Sequence, residues 1–578
     1  MRHLIAALCL LAGPAYAASP PAVEAQHGMV VSSQHLASEA GVAILQAGGN
    51  AVDAAVAVGY AEAVTNPCCG NIGGGGFLVA HLANGRDIFI NFRETAPAAA
   101  TANMYLDPAG KLIPRISLDG WSAPGVPGTV LGLDTALREY GTISRAEAMA
   151  PAIRLARDGF VLERGDTDIL DVKTAEFRAN PVLARIFLRP DGGALRPGDR
   201  LGQPDLARTL EAIAAGGPDA FYKGANAATI ARTAQAGGGL LTEADFAAYT
   251  VTESAPLRCL YRGYLFLSAP PPSSGGATMC EILNVLEGYD LKALGFHSAA
   301  NVHVMVEAMR HAYLDRNRFL GDPAFVNNPL DRLLSKEHAA HIRAEITERA
   351  GSSDAHELLE TGEKAETTHY SVVDRAGNAV SVTYTINGLF GALAMADGTG
   401  VLMNNEMDDF TTQAGGSNLF GLVQGVANAI APGKRPLSSM APTIVTKDGA
   451  VFLVLGSPGG SRIITIALET ALNIIDHGMQ PQEAVDAPRF HHQWLPDTVF
   501  AEPFAFSPDT LKLLDGMGMK VTEQSPWGAA EVIAVGPPAP AAGAASSGND
   551  SAHTASLRPG LLYGANDDRR PAGSAVGY

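Results

Sequence analysis

One β-hairpin constrains the fold of this chain more than any other feature. Two runs with strand character, 369–373 and 380–385, flank the five residues DRAGN at 374–378. That loop has glycine where a three-residue hairpin loop needs a left-handed residue. If the two ends of the loop pair with each other, the antiparallel register places Thr367 opposite Thr385. The sequence therefore predicts two threonine hydroxyls within reach of each other on one face of a sheet.

The segment before this hairpin is charged and rich in small residues. Residues 350–365 (AGSSDAHELLETGEKA) offer little to bury, which predicts a mobile, exposed linker. A threonine hydroxyl is a poor nucleophile without a neighbouring base. Cleavage after Glu366 would give Thr367 such a base, because a free α-amine has a pKa of about 7.7–8.0. A Thr-Thr pair is also common at the start of a strand, so position alone leaves both interpretations open.

Long motifs in both halves of the chain narrow the choice. The C-terminal half contains TTHYSVVD, VTYTIN, NNEMDDF, KRPLSSMAPT and GSPGGSRI, and the N-terminal half contains SSQHLASEAG, GGNAVDAAVAVGYAEAV, NPCCGNIGGGGF, NFRETAP and PPPSSGG. In their order along the chain, these motifs resemble those of the γ-glutamyltranspeptidase family, also called glutathione hydrolases. The resemblance runs from about residue 28 to the C-terminus. Several ordered motifs are more specific than a single short pattern.

The coarse pattern alternates helices and strands. We expect helices at 38–47, 50–65, 297–319 and 462–476, a hairpin within 77–92, and strands at 369–374, 379–386, 443–446 and 451–456. Strand pairs joined by tight turns, with helices at either end, indicate antiparallel sheets covered by helices. The resemblance implies an α+β protein with the four-layer αββα sandwich of the N-terminal-nucleophile hydrolases.

Length and charge limit the domain organisation and the partners. The 578 residues contain no internal repeat, which favours one large folded unit cut into two chains. We expect a large chain 18–366, ending in a linker at about 345–366, and a small catalytic chain 367–578. A low-complexity insertion at 537–557 should separate the two final strands. A net charge of −18 without basic clusters argues against nucleic acid or an anionic membrane surface as a partner.

Residues 1–17 have the pattern of a secretory signal peptide. A basic start precedes the apolar run 4–12, and the tripeptide AYA at 15–17 is a typical cleavage site. The apolar run is shorter than the roughly 20 residues of a membrane span, and no later segment provides one. The sequence therefore predicts a periplasmic or secreted protein without a membrane span. Of the four remaining cysteines, Cys68 and Cys69 are interpreted as packing residues, and Cys259 with Cys280 is a candidate disulfide.

The resemblance assigns catalytic roles to four residues. Thr367 is implied to be the nucleophile and Thr385 the hydroxyl that orients it. Gly459 and Gly460 lie between a strand and a helix, where free backbone N–H groups can form an oxyanion hole. A tight turn and a phosphate loop are the alternatives for this glycine pair, and the second lacks the lysine of the GxxxxGK[ST] pattern.

The implied substrate-binding residues match the two charges of a γ-glutamyl group. Such a group ends in an α-carboxylate and an α-amine, so a site for it needs one charge of each sign. The resemblance assigns the α-carboxylate to Arg93, a fork-shaped cation, with added hydrogen bonds from two serines. It assigns the α-amine to a carboxylate, with two polar neighbours. The two serines are Ser438 and Ser439, the carboxylate that binds the α-amine is Asp409, and its two polar neighbours are Asn387 and Glu406.

No metal and no organic cofactor is expected. Around His491 and His492 no cysteine or carboxylate pattern completes a metal site. The four glycines at 73–76 lack the spacing of a dinucleotide site and are interpreted as a flexible turn.

The sequence as a whole predicts an exported, self-cleaving γ-glutamyl hydrolase and transferase. It should act on glutathione and related γ-glutamyl compounds and pass the γ-glutamyl group to water, amino acids or peptides, with its two chains paired as a heterodimer. One alternative is a glutaryl or cephalosporin-type acylase of the same fold. Asp409 argues against it, because a glutaryl group has no α-amine. The other alternative is a non-catalytic exported binding protein, in which the two threonines and the glycine pair would coincide by chance.

Overall fold

The computed structural model describes residues 19–353, 367–413, 415–537 and 557–578. The predicted signal peptide, Glu366 and nearly all of the 537–557 insertion lie outside the described residues. The strands are β1 Val23–Ala25, β2 Met29–Ser32, β3 Gly75–His81, β4 Asp87–Asn91, β5 Phe160–Val161, β6 Arg200–Leu201, β7 Thr252–Ser254, β8 Leu257–Tyr261, β9 Tyr264–Ser268, β10 Thr368–Val373, β11 Ala379–Thr385, β12 Thr443–Lys447, β13 Ala450–Leu455, β14 Phe490–His491, β15 Val499–Ala501, β16 Val521–Glu523, β17 Val532–Val535, β18 Leu562–Ala565 and β19 Ser574–Gly577.

Helices cover both outer faces of the strands. They are α1 His35–Gln46, α2 Ala51–Thr65, α3 Thr129–Tyr140, α4 Arg145–Asp158, α5 Arg164–Asp171, α6 Thr174–Ala179, α7 Pro181–Phe187, α8 Pro204–Gly216, α9 Asp219–Tyr222, α10 Ala225–Ala236, α11 Glu243–Ala248, α12 Gly275–Leu286, α13 Leu291–Leu294, α14 Ala299–Phe319, α15 Leu330–Leu333, α16 Lys336–Glu345, α17 Ile463–Ile475, α18 Pro481–Asp486 and α19 Pro508–Met517. Short 3₁₀ turns lie at Glu406–Asp409, Val426–Asn428 and Gly460–Arg462.

Two seven-stranded antiparallel sheets form the centre of the molecule. Sheet I has the order β19-β2-β10-β11-β3-β4-β7, and sheet II has the order β1-β18-β17-β13-β12-β9-β8. Phe77 and Val79 of sheet I pack against Leu267 and Ile444 of sheet II between the two sheets. The outer face of sheet I packs on α1 and α2, and that of sheet II on α12, α14 and α17. The four-layer αββα sandwich is therefore confirmed.

Local sequence signals explain where the helices next to the sheets begin. Asn50 caps α2: its side chain accepts hydrogen bonds from the N–H groups of Val52 and Asp53, and the Asp53 side chain accepts one from the Asn50 N–H. This capping box satisfies backbone groups that the first helical turn leaves open. Ser298 caps α14 in a similar way by accepting from the Asn301 N–H. Both helices were predicted within two residues of these starts.

The segment before the nucleophile hairpin differs from its prediction where the structure describes it. Residues 350–353 were expected to be mobile and exposed, but Ser353 is buried. Its N–H donates to Asp497 Oδ2 at 2.8 Å, and its Oγ accepts from Arg310 Nη1 at 2.6 Å. Ala350 N–H donates to the carbonyl of Met517 at 2.9 Å. The charged composition hid these contacts, because their partners are distant in sequence.

Two further expectations are corrected. Cys68 and Cys69 are bonded to each other as a disulfide instead of only packing, and the candidate Cys259–Cys280 disulfide is present.

The 537–557 insertion connects β17 to β18, but these are not the final strands. The chain continues into β19, which pairs with β2 at the edge of sheet I. The last residues are thus part of the central sandwich.

A carboxylate is buried between α2 and the hairpin. Glu62 Oε2 accepts from Asn66 Nδ2 at 2.9 Å and from Thr368 Oγ1 at 3.2 Å, and the residue is fully buried. Burial raises the pKa of Glu62 from 4.5 to about 7, and these hydrogen bonds offset only part of the effect. Because the folded state holds the proton more tightly than the unfolded state, stability is lost as pH rises from about 4.5 to about 7.

The Glu62→Gln variant should remove this pH dependence. The variant cannot ionise, so its free energy of unfolding relative to the parent should rise by roughly 2–3 kcal/mol between pH 5 and pH 8. Denaturant unfolding of both proteins at the two pH values measures the change. Exposed Glu39→Gln is the matched control and should show no such trend. A Glu62→Gln difference that stays flat with pH would mean that Glu62 is already ionised in the folded protein.

Candidate active site

The predicted hairpin register is observed. β10 and β11 pair Thr368 with Tyr384 and His369 with Thr383, which carries Thr367 opposite Thr385. The two hydroxyl oxygens of Thr367 and Thr385 lie 3.2 Å apart, and both residues are buried. The two threonines therefore form a hydroxyl pair on the inner face of sheet I, at one end of the sandwich.

The backbone after β11 orients this pair. Asn387 N–H donates to Thr385 Oγ1 at 2.8 Å, so the backbone fixes the position of this hydroxyl oxygen beside Thr367 Oγ1. Asn387 has φ +74°, a conformation that is costly for a residue other than glycine and is often found at functional sites. Its side chain donates to the carbonyl of Asn405 at 3.0 Å. The turn thus joins Thr385 to the acidic segment that begins at Glu406.

The four glycines at 73–76 allow this arrangement by close approach. A Cβ on Gly74 would lie 1.9 Å from the carbonyl oxygen of Thr385, so only glycine fits there. Asn404 donates through Nδ2 to the carbonyl of Gly73 at 2.8 Å and also hydrogen-bonds Gly125. The prediction of a flexible turn is therefore wrong. The segment is buried, and its last two glycines belong to β3.

No ionisable side chain of the described residues hydrogen-bonds Thr367 Oγ1. The histidine two residues along β10, His369, instead contacts Thr383 Oγ1 at 2.8 Å and Ser371 Oγ at 3.2 Å. Burial lowers the pKa of His369 to about 3, so it is neutral at physiological pH. Within the described part of the chain, the side chain that hydrogen-bonds Thr367 Oγ1 is that of Thr385, through its hydroxyl.

The glycine turn after β13 faces the same cavity. Gly459 and Gly460 have φ +138° and +57°, and the chain then enters α17. Neither N–H donates to a backbone carbonyl of the described residues, so both can serve a bound anion. Tyr313 supports the turn by donating from its hydroxyl to the carbonyl of Ser461 at 2.6 Å. The geometry suits an oxyanion hole.

One cavity collects almost all of the residues that the sequence singled out. Thr367, Thr385 and Gly460 lie on its wall, and Gly459 is the neighbour of Gly460. The other predicted residues on the wall are Arg93, Asn387, Glu406, Asp409, Ser438 and Ser439. Residues that the sequence interpretation had not assigned to the site also line it: Arg316, Leu422, Leu437, Met440 and Ile463, together with Phe420 of the adjacent loop.

Opposite charges pair inside this cavity. Arg93 donates to Glu406 and, at 2.5 Å, to Asp409 Oδ2, and its Nη1 lies 3.6 Å from Glu94 Oε2. Burial raises the pKa of both Glu406 and Asp409, and the Arg93 guanidinium partly opposes the effect. Burial raises the pKa of Glu94 to about 7. Arg93 and Asp409, which were expected to hold opposite ends of a ligand, are therefore paired with each other in this structure.

A histidine–carboxylate cluster lies elsewhere in the molecule. Among the described residues, Glu281, Asp315 and His338 are the group whose ligand atoms come close enough to hold a metal ion. His338 Nε2 lies 2.8 Å from Asp315 Oδ2 and 3.3 Å from Glu281 Oε1. Hydrogen bonding to Glu281 raises the pKa of His338, and burial raises the pKa of Glu281 to about 7. This arrangement satisfies all three groups, and none of them lines the cavity.

The αββα sandwich, with a threonine at the start of a central strand and a glycine turn beside it, defines the fold class as that of the N-terminal-nucleophile hydrolases. The family model described as Gamma-glutamyltranspeptidase matches residues 37–555. The chain belongs to this family and is an enzyme of it.

Known proteins support the assignment. A glutathione hydrolase proenzyme from Pseudomonas sp. (strain A14) is 54% identical over 97% of this chain and 96% of its own. An acylase ACY 1 proenzyme from Pseudomonas sp. (strain V22) is 44% identical over 80% of this chain and 82% of its own. The crystal structure of a cephalosporin acylase from Bacillus halodurans has a TM-score of 0.82 at 26% identity and covers 99% of both chains. No helix of the described residues combines the length and apolar character needed to cross a membrane.

Proposed function

We propose that this enzyme cleaves the γ-glutamyl amide bond of glutathione and related compounds and transfers the γ-glutamyl group to water or to an amine acceptor. The observation that carries the proposal is the cavity that combines the Thr367–Thr385 hydroxyl pair with both Arg93 and Asp409. The similarity to a glutathione hydrolase proenzyme over nearly the whole chain supports the same substrate class.

Maturation is proposed to precede catalysis. Thr367 Oγ1 attacks the carbonyl of Glu366, the peptide bond is replaced by an ester, and water hydrolyses the ester to give two chains with a free amine on Thr367. The structure supports a need for this amine, because no described ionisable side chain contacts the Thr367 hydroxyl. The products are a large chain 18–366 and a small chain 367–578, which remain paired because β10 and β11 lie in the middle of sheet I.

The proposed acyl-transfer steps use the free amine of Thr367 together with Thr385 and the glycine turn. The Thr367 α-amine accepts the proton from Oγ1 as the oxygen attacks the γ-carbonyl carbon, while Thr385 orients the hydroxyl. The developing oxyanion is stabilised by the N–H groups of Gly459 and Gly460. Collapse of the intermediate releases the amine product, which takes the proton, and leaves a γ-glutamyl ester on Thr367. Water or an acceptor amine then attacks the ester by the reverse sequence.

Substrate binding exchanges one ion pair for two. A γ-glutamyl group brings an ammonium to Asp409 and a carboxylate to Arg93, so the direct Arg93–Asp409 contact is replaced by two contacts with the ligand. Ser438 and Ser439 add hydroxyl donors beside the carboxylate. Asn387 and Glu406 complete the polar wall around the amine. Each buried charge keeps a partner of opposite sign during this exchange, which limits the cost of desolvation.

An acylase of the same fold is the second candidate. It is favoured by the relative named acylase ACY 1 and by the similarity to a cephalosporin acylase structure. A glutaryl group carries the carboxylate but no α-amine, so it would leave Asp409 without a ligand charge. The buried, ion-paired position of Asp409 supports γ-glutamyl compounds as the substrates.

The Asp409→Asn variant separates the two candidates. The change keeps the shape but removes the charge, so binding of a γ-glutamyl anilide should weaken by roughly 1.5–3 kcal/mol, while a glutaryl anilide loses much less. Steady-state kinetics on both anilides, using cleaved protein, measures the difference. Exposed Asp397→Asn serves as the control. Equal losses on both anilides would make Asp409 structural, and faster turnover of the glutaryl anilide by the parent would favour the acylase.

Export and processing complete the proposal. We propose that residues 1–17 direct the chain to the periplasm or outside the cell, and that the mature enzyme is a heterodimer of its two chains without a metal or organic cofactor. N-terminal sequencing of both chains purified from the producing cells tests this. Starts at Ala18 and Thr367 support the proposal, and other starts contradict it.

A further inference from the structure

A second arginine lies at the cavity with only neutral partners. Arg316 is in the last turn of α14 and is 1% exposed. Its Nε donates to Ser274 Oγ at 2.9 Å, and its Nη2 donates to Ser439 Oγ at 3.0 Å. Its Nη1 donates to the side-chain oxygens of Asn317 at 2.8 Å and Gln424 at 3.2 Å. All four acceptors are uncharged.

Two other buried arginines have carboxylate partners. Arg93 pairs with Glu406 and Asp409, and Arg310, two turns before Arg316 on α14, pairs with Glu307 at 3.2 Å and also with Asp497. No carboxylate oxygen of a described residue lies within 4.0 Å of the Arg316 side-chain nitrogens. Burial lowers the pKa of Arg316 to about 10, so it remains charged at neutral pH. A buried charge without a counterion is costly.

We infer that Arg316 is a positioning residue that selects substrates with an α-carboxylate, acting through Ser439. The inference rests on the proposed function. Arg93 is already ion-paired with Glu406 and Asp409, so it alone supplies little net positive charge. Arg316 is the cation on this wall that has no ion pair within 4.0 Å among the described residues, and Asp409 acts on it only from a greater distance. A substrate carboxylate that accepts from Ser439 would be held between the two guanidinium groups.

The surrounding hydrogen bonds support this role. Ser274 Oγ, which accepts from Arg316, donates to the carbonyl of Ser438 at 2.6 Å. Arg316 therefore holds both serines of the Ser438–Ser439 pair, one through its hydroxyl and one through its carbonyl. Gln424, another acceptor of Arg316, donates to the carbonyl of Asp409 at 3.0 Å. The Arg316 guanidinium thus positions the two serines proposed to bind the substrate carboxylate. Through Gln424 it is also linked to Asp409, which is proposed to bind the amine.

The Arg316→Gln variant tests the inference with three ligands. L-glutamate has both an α-amine and an α-carboxylate, glutarate lacks the α-amine, and 4-aminobutyrate lacks the α-carboxylate. All three keep the distal carboxylate. Inhibition constants against hydrolysis of a γ-glutamyl anilide should rise by about tenfold to a hundredfold for glutamate and glutarate, as expected for loss of a charged hydrogen-bond partner. The constant for 4-aminobutyrate should change by less than about threefold. For the anilide itself, KM should rise more than kcat falls.

A matched control and a milder variant complete the experiment. Arg318→Gln changes an exposed arginine on the same helix and should leave all three constants unchanged. If Arg316→Gln yields no cleaved protein, Ser274→Ala, which removes only the hydroxyl that orients the guanidinium, should give the same order of effects at smaller size. Equal losses for the three ligands, or none, would overturn the inference.

Failure of the proposed function can be distinguished from failure of the inference about Arg316. If the parent protein does not hydrolyse the γ-glutamyl anilide, the proposed reaction is wrong. Binding of the three ligands, followed by thermal shift in parent and variant, would then still decide whether Arg316 selects a carboxylate. A parent that hydrolyses the anilide while Arg316→Gln shows no selective loss would reject the inference alone.

Discussion

Replacing Thr367 with alanine should leave the precursor as one chain and abolish hydrolysis of a γ-glutamyl anilide. The variant has no nucleophilic oxygen for cleavage after Glu366 and none for acyl transfer, so both reactions should slow by about 10⁴-fold or more. Denaturing electrophoresis measures the cleavage, and release of the anilide measures the turnover. The fold should survive, because the lost methyl and hydroxyl groups are small.

Neighbouring Thr368→Ala is the matched control for this change. Thr368 is also a buried threonine, but its hydroxyl donates to Glu62 on the helix side of sheet I and does not line the cavity. It should therefore lower stability moderately while cleavage proceeds. Normal cleavage of the Thr367→Ala precursor, or a small chain that begins at another residue, would contradict the mechanism.

Thr385→Ala should fold and mature slowly, and the fully cleaved protein should turn over at least about a hundredfold more slowly than the parent. The change deletes the hydroxyl 3.2 Å from Thr367 Oγ1 but leaves a small residue that β structure tolerates. Thr385→Ser retains that hydroxyl and should keep much of both activities. Turnover must be measured on fully cleaved protein, because slow maturation alone would imitate a catalytic defect.

The same strand provides a control for Thr385. Thr383 points to the same inner face but hydrogen-bonds His369 at 2.8 Å. Thr383→Ala should therefore affect stability more than turnover per cleaved molecule. Parent-like turnover of cleaved Thr385→Ala would refute both the proposed orientation of Thr367 and the two-threonine mechanism.

The sequence alone determined the hairpin register and the cap of α2. These depend on residues close together in the chain: a five-residue loop sets which threonines face each other, and Asn50 with Asp53 sets the start of α2. The family and its αββα fold were recognised from ordered motifs. Local composition was a poor guide where partners are distant, as at Ser353, which is buried by contacts with Arg310 and Asp497.

Only the tertiary structure decided the electrostatics of the site. Arg93 and Asp409 are 316 residues apart in sequence, and no sequence pattern indicates that they pair with each other. Arg316 lies in an amphipathic helix with charged neighbours, so its burial beside Ser439 could not be inferred from sequence spacing. The energetic effect of a charged side chain depends on its burial and on its counterions, and both are set by how distant segments pack together.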